Sequence, residues 1–296
     1  MGNPKNKKIP TYGVLGFLLI ILVNVILWLN ILMELGVEFF TQYYFPFIWL
    51  GFVLFIDGLV YRFRGNSLIK NNFKNFIGLF VISFLIWVVF ELITNCIQIW
   101  SYIEIGDLSS WEHFILSSVV FSFVLPSIFE VTDLISTLTR FKYKTGKFRV
   151  NKFLIYLITL LGIGLFLLPI FRPELIFPLI WISFFLIFDP INYLNDNPSI
   201  IGSISKSDWQ IPVSLLVAGI IVGFFWEFWN FWSYPKWTNS IPFFDFYRFF
   251  DIDMLGYSLY FFFSWELFSM YHFIRNIGKS YLPKITNFIR GLLVKK

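Results

Sequence analysis

Eight apolar blocks, each close to the length that crosses a bilayer, divide this chain and leave little of it for any other architecture. They lie near residues 12–33, 44–62, 76–97, 114–136, 152–171, 175–193, 211–232 and 255–275. Hydrocarbon about 30 Å thick is crossed by roughly 20 helical residues, so each block is read as a transmembrane helix. Charged residues make up only 14% of the chain, hydrophobic ones 57%, and mean hydropathy is +0.73. A soluble domain carries about 25% charged residues, which excludes a water-soluble globule. The expected fold is an all-α integral membrane protein.

The basic residues set the expected topology. With the N-terminus inside, every Lys and Arg of the 23 falls on the cytoplasmic side except Arg172, Lys236 and Arg248. One inside cluster of six is Arg140, Lys142, Lys144, Lys147, Arg149 and Lys152, and the tail carries another six. The outer loops carry acids instead: Glu34, Glu38, Glu104, Asp107, Glu112, Glu174, Asp245, Asp251 and Asp253. Positive-inside bias with an even number of spans predicts a multi-pass protein of the cell membrane with both termini cytoplasmic. The net charge of +5 is then a topological signal, and no nucleic-acid partner is expected. The first block has no small-residue cleavage site and is expected to be retained. Asn6 stands where myristoylation needs Ser or Thr, so no lipid anchor is expected. The tail 280–296 mixes apolar and basic residues, as suits a segment lying on the anionic inner leaflet.

An internal repeat organises the blocks. Phe45, Pro46, Ile48, Trp49, Phe52, Leu54, Asp57 and Tyr61 recur as Phe177, Pro178, Ile180, Trp181, Phe184, Leu186, Asp189 and Tyr193, at an offset of 132. Glu91 and Glu130 recur as Glu227 and Glu266, at an offset of 136. Two tandem four-helix repeats are therefore expected, residues 1–140 and 141–296, joined by the basic loop. Units with an even number of spans share one orientation, so the copies are expected to be parallel, about an axis along the membrane normal.

Several chemistries have no residues to support them. Cys96 is the single cysteine, which excludes an internal disulfide and a thiolate metal site. His113 and His272 belong to no metal-binding pattern, and no nucleotide or redox-cofactor motif is present, so no cofactor is expected. Beyond Lys152 at the edge of the fifth block, no lysine lies inside a block. The 41 Phe, 14 Tyr and 12 Trp suit an interfacial belt, or a bundle lined with rings for an apolar or cationic ligand.

Acids inside the blocks are the candidate chemistry, because each costs roughly 2.5–3.5 kcal/mol to insert. Asp57 and Asp189 lie near helix ends, within reach of interfacial water or Arg62, or as packing hydrogen bonds. Glu227, Glu91, Glu266 and Glu130 are the candidate catalytic acids. Desolvation disfavours a charged carboxyl, so such a group is available as a proton donor, or equally as hydrogen-bonding glue between helices. Asn230 and Tyr234 share a helical face with Glu227, as Asn95 does with Glu91. With Trp226 and Trp229 they form the candidate substrate-binding set. The aromatic loop 231–253 is a candidate cap.

The stretch FELITNCIQIWSY places a Trp-x-Tyr nine residues after the helical acid. It resembles the membrane lycopene cyclases of carotenoid synthesis, which carry an Asp-Asn pair, a Trp-x-Tyr and a Pro-x-Glu-Glu. The resemblance implies that Glu91 stands for the helical acid, Trp100 and Tyr102 for the Trp-x-Tyr and Glu112 for the downstream acid. Here Glu replaces Asp, Asn95 is not adjacent to it, and SSWEH lacks the proline and the second acid. The second repeat is also similar to microbial membrane proteins of no assigned function.

Three readings follow. One is a cofactor-independent enzyme in which a buried Glu protonates an isoprenoid or other lipid and tryptophan rings stabilise the cation. The second is a transporter or proton-coupled carrier with a central carboxylate site. The third is a non-catalytic membrane scaffold. The bilayer is the expected partner, with a hydrophobic small molecule or lipid as the substrate class.

Overall fold

The computed structural model describes residues 7–34, 38–97, 100–103, 108–141, 146–171, 177–238, 248–250 and 252–293. The expected charges at Lys5, Glu104, Asp107, Lys142, Lys144, Arg172, Glu174, Asp245, Asp251, Lys295 and Lys296, and much of the expected cap, lie outside them. Helix dominates the rest. The helices are α1 (Thr11–Leu32), α2 (Glu38–Arg64), α3 (Leu68–Asn71), α4 (Phe73–Ile97), α5 (Ser110–Ser122) and α6 (Val124–Leu138). They continue as α7 (Lys152–Leu167), α8 (Phe177–Leu194), α9 (Ile200–Ser205), α10 (Gln210–Phe231) and α11 (Met254–Leu293). Strand β1 (Ser101–Ile103) pairs antiparallel with β2 (Lys236–Thr238), and β3 (Arg248–Phe249) with β4 (Ile252–Asp253).

Among the described residues, six helical segments are long and apolar enough to cross a membrane: Thr11–Leu32, Phe40–Arg64, Phe73–Cys96, Ser110–Leu138, Lys152–Ile170 and Gln210–Phe231. The other two expected spans are helical but fall outside that group. Helix α8 contributes a shorter apolar stretch, Leu179–Leu194. Helix α11 interrupts its apolar run with Ser264, Glu266, Ser269 and His272, which lower its hydropathy. Large side chains on α1 and α7 face outward, Leu15 at 59% and Leu160 at 65% exposure. Such a surface suits lipid and not water.

The expected fourth span is broken at Phe123. Pro126 has no N–H and its ring crowds the carbonyl four residues back, so the regular helix cannot run through. Ser83 of α4 covers the break: its hydroxyl donates to Phe121 O at 2.7 Å and accepts from Leu125 N at 3.1 Å.

Between helices in lipid there is little hydrophobic drive, so close contact and hydrogen bonds hold the bundle. Helices α1 and α2 meet through glycines; a methyl on Gly16 would stand 2.7 Å from Gly51 O. Helix α1 packs on α2 as α7 packs on α8, α2 on α6 as α8 on α11, and α4 on α5 and α6 as α10 on α11. Helix α10 also packs on α6.

Asp57 and Asp189 are fully buried, away from interfacial water, and each ties the short helix that follows it. Asp57 accepts from Ile69 N at 3.0 Å and Tyr12 Oη at 2.5 Å. Asp189 accepts from Ile200 N at 2.7 Å, Ile201 N at 2.8 Å and Ser269 Oγ at 3.0 Å. Ser67 and Ser199 cap these same helices, α3 and α9, by accepting from Lys70 N and Gly202 N. Asp189→Ala is expected to destabilise by about 1–3 kcal/mol for each buried donor left unpaired, read as a lower thermal midpoint in detergent. Asp189→Asn keeps one acceptor oxygen and is expected to lose less.

Candidate functional site

The acid of interest is placed by one face of α10. Gly219, Gly223 and Glu227 recur every four residues and so stack along one side of the helix. The two glycines let α11 approach: a methyl on Gly219 would stand 2.2 Å from Tyr260 O, and one on Gly223 would stand 2.5 Å from the Tyr260 ring. Tyr260 thereby reaches Glu227, and its hydroxyl donates to Oε1. Trp237 adds a longer contact, Nε1 to the same Oε1 at 3.5 Å.

Asn230, fully buried one turn beyond Glu227, holds Trp237 by its backbone. Its Nδ2 donates to Trp237 O at 2.8 Å, and its Oδ1 accepts from Trp237 N at 3.1 Å. The backbone of Trp237 is therefore clamped twice, which fixes its indole beside the acid. Asn230→Leu removes both bonds at once. The expected cost is about 1–3 kcal/mol for each polar group left buried and unpaired. The intrinsic tryptophan emission should shift as Trp237 is released.

Glu227 borders a cavity of about 110 Å³. Its aromatic wall residues are Trp87 and Phe90 of α4, Trp100, Phe121 of α5, Trp181 of α8, Trp226 of α10, Trp237 of β2, and Tyr260 and Phe263 of α11, with aliphatic side chains such as Ile86, Ile128, Val222 and Leu267 between them. The rings contact one another around it. Trp226 lies 5.4 Å from Trp237, Trp237 5.8 Å from Phe121, Trp100 6.3 Å from Trp181, and Trp181 4.8 Å from Phe263. Among the described residues, Glu227 is the only carboxyl in the lining, which holds no Lys, Arg or His.

A related arrangement occurs at the equivalent acid. Tyr102 Oη donates to Glu91 Oε2 at 3.3 Å, as Trp237 reaches Glu227. Tyr102 and Trp237 face each other in the β1–β2 ladder, so the segments that follow α4 and α10 are joined at these two aromatics. Burial, then the nearby Glu91 charge, raises the Tyr102 hydroxyl above its ordinary value, so it stays a donor. Glu91 itself is half-buried and outside the cavity lining, and Asn95 is exposed.

The remaining candidates are dispersed. Trp226 and Trp100 line the cavity, whereas Trp229 packs in the core against Trp49 and Phe225. The backbone of Tyr234 donates to Thr41 O at 3.1 Å, joining the end of α10 to α2. Glu130 and Glu266 are fully buried away from the cavity. Glu112 closes a capping box with Ser109 at the exposed start of α5. Asp133, not among the expected acids, pairs with Arg64 at 2.6 Å; both are about a third exposed, so the pair contributes at most about 1 kcal/mol.

Trp87, Phe90, Phe121, Trp181, Tyr260 and Phe263 were not among the expected site residues. Trp181 alone had a sequence signal, as the repeat partner of Trp49. Compared with family models, curated proteins and solved structures, the chain matches none.

Proposed function

We propose that this is an eight-span membrane protein of two tandem parallel four-helix repeats, both termini cytoplasmic, that acts without a cofactor on one end of an isoprenoid or similar lipid. The observation that carries the reading is a single carboxyl, Glu227, set into a cavity walled by aromatic rings. The twice-occurring Asp–short-helix tie and the two acid–aromatic contacts support the repeat.

In this reading Glu227 gives its proton to one carbon of a double bond, and the adjacent carbon becomes cationic. Nearby ring faces stabilise that cation by about 0.5–2 kcal/mol each. Tyr260 and Trp237 donate to the carboxylate left behind. Loss of a proton from a neighbouring carbon restores Glu227, so the net change is an isomerisation or cyclisation with no redox partner. A cavity of about 110 Å³ is smaller than the roughly 150 Å³ that takes benzene, so only the end of the lipid enters. Glu91, Glu130 and Glu266 lie outside the cavity lining and take no part in this step.

The test is to incubate the purified protein with unsaturated isoprenoids in D2O and analyse the lipids by mass spectrometry. The expected product is an isomer of the substrate carrying one added deuterium. Unchanged lipids, or a single-turnover product without deuterium, would refute the acid. A carrier reading is favoured by one feature: the walls come from both halves, α4 to α6 and α8 to α11. Saturable uptake into liposomes with no chemical change would select it.

A further inference from the structure

We infer that the Glu227 cavity is a binding site for a trimethylammonium-type organic cation. The inference rests on the reading that this cavity is a ligand site, and adds the charge of what it takes. Aromatic walls attract cations through their negative faces, and tryptophan does so best. Five of the wall residues are tryptophans, Trp87, Trp100, Trp181, Trp226 and Trp237, and among the described residues they share the lining with one carboxyl and no basic group.

The chemistry selects this class over others. An anion would meet Glu227 and, among the described lining residues, no Lys, Arg or His to pair with. A metal ion or a primary ammonium needs several oxygen ligands, and among the described residues the side-chain oxygens of the lining are those of Glu227, Tyr260 and Ser83 alone. Ser83 is already engaged at the α5–α6 break. A quaternary ammonium demands no hydrogen bonds, spreads its charge over methyl groups and fits apolar rings. Its compact head group of about five heavy atoms is the part that enters the cavity of about 110 Å³. The same surroundings would favour the transient cation of the proposed reaction, of which a quaternary ammonium is a stable analogue.

The experiment uses the full-length protein in phosphatidylglycerol nanodiscs. Tryptophan fluorescence is titrated with choline and with 3,3-dimethylbutan-1-ol, which has the same shape but a carbon in place of the charged nitrogen. Choline is expected to bind saturably and at least 10-fold more tightly. Binding of the cation draws Glu227 into its carboxylate form, its proton passing to water, so Glu227→Gln is expected to bring choline down towards the neutral alcohol, with the alcohol unchanged. Repeating the titration in phosphatidylcholine discs separates two sources of the same group. Weaker apparent choline binding there supports the proposal with a lipid headgroup as occupant; equal binding supports it with a free cation.

Equal affinity for choline and the alcohol in the unmutated protein would overturn the cation inference while leaving an apolar ligand site. Choline failing to bind while isoprenoids still react would also overturn it alone. Failure of both ligands, together with unchanged isoprenoids, would overturn the site itself.

Discussion

Replacing Glu227 with Gln is expected to lower turnover of the lipid substrate by about 10²–10⁴-fold, the usual contribution of a positioned general acid. Gln keeps the shape of the side chain and an oxygen to accept from Tyr260, so the local packing survives the change. It has no transferable proton. Substrate affinity should change little, because the apolar walls that bind the substrate are untouched, and the loss should fall on kcat rather than KM. Glu91→Gln is the control on the equivalent acid. Glu91 is half-buried, bonded to Tyr102 and outside the cavity lining. Its substitution is expected to leave turnover within about 10-fold of the unmutated protein, a change that displacement of Trp100 and Tyr102 would account for. Equal losses from the two variants would show that the repeat, and not the cavity, defines the chemistry.

The second large effect is expected from Gly219→Ala. The new methyl would lie 2.2 Å from Tyr260 O, a backbone atom that cannot swing aside as a side chain does. The whole of α11 must move away from α10. Overpacking of this kind costs about 1–3 kcal/mol and sometimes more. The functional loss should exceed the stability loss, because Tyr260 moves with its helix and releases Glu227. Gly223→Ala meets the Tyr260 ring instead, at 2.5 Å. A ring turns more easily than a backbone shifts, so this variant should unfold nearer the unmutated temperature and still lose ligand affinity. Combining Gly223→Ala with Tyr260→Leu should relieve the clash without restoring the hydrogen bond to Glu227. Recovered stability with unrecovered activity is the expected pattern.

The helical course of the chain was legible in its apolar blocks, because length and hydropathy alone decide that question. The break at Phe123 was not, although Pro126 announced it: apolar runs read alike whether or not a kink divides them, and Ser83, which fills the gap, lies about 40 residues away in sequence. Glu227 and Trp226 could be singled out as a dense polar-aromatic stretch within an apolar helix. Most of the cavity could not, since Phe90, Trp181 and Phe263 differ from lipid-facing rings only in what stands opposite them. Asn230 was legible as a polar residue on the face of Glu227, but the clamp on Trp237 depends on how the chain turns after α10. Trp229 shows the reverse error. It resembles Trp226 in sequence and both rings touch Trp49, yet a rotation of about 300° along the helix takes Trp229 off the cavity and onto Phe225.

The most direct test is photo-crosslinking of an isoprenoid carrying a diazirine at its apolar end, in nanodiscs, with the labelled residues mapped by mass spectrometry. The account requires labels on the α4, α8 and α11 peptides that contain Trp87, Trp181 and Phe263, reduced by an unlabelled isoprenoid and by Trp226→Ala. Labels spread over the outward faces of α1 and α7, and unaffected by competitor, would mean that the molecule meets isoprenoids only as bilayer lipid, and would contradict the account.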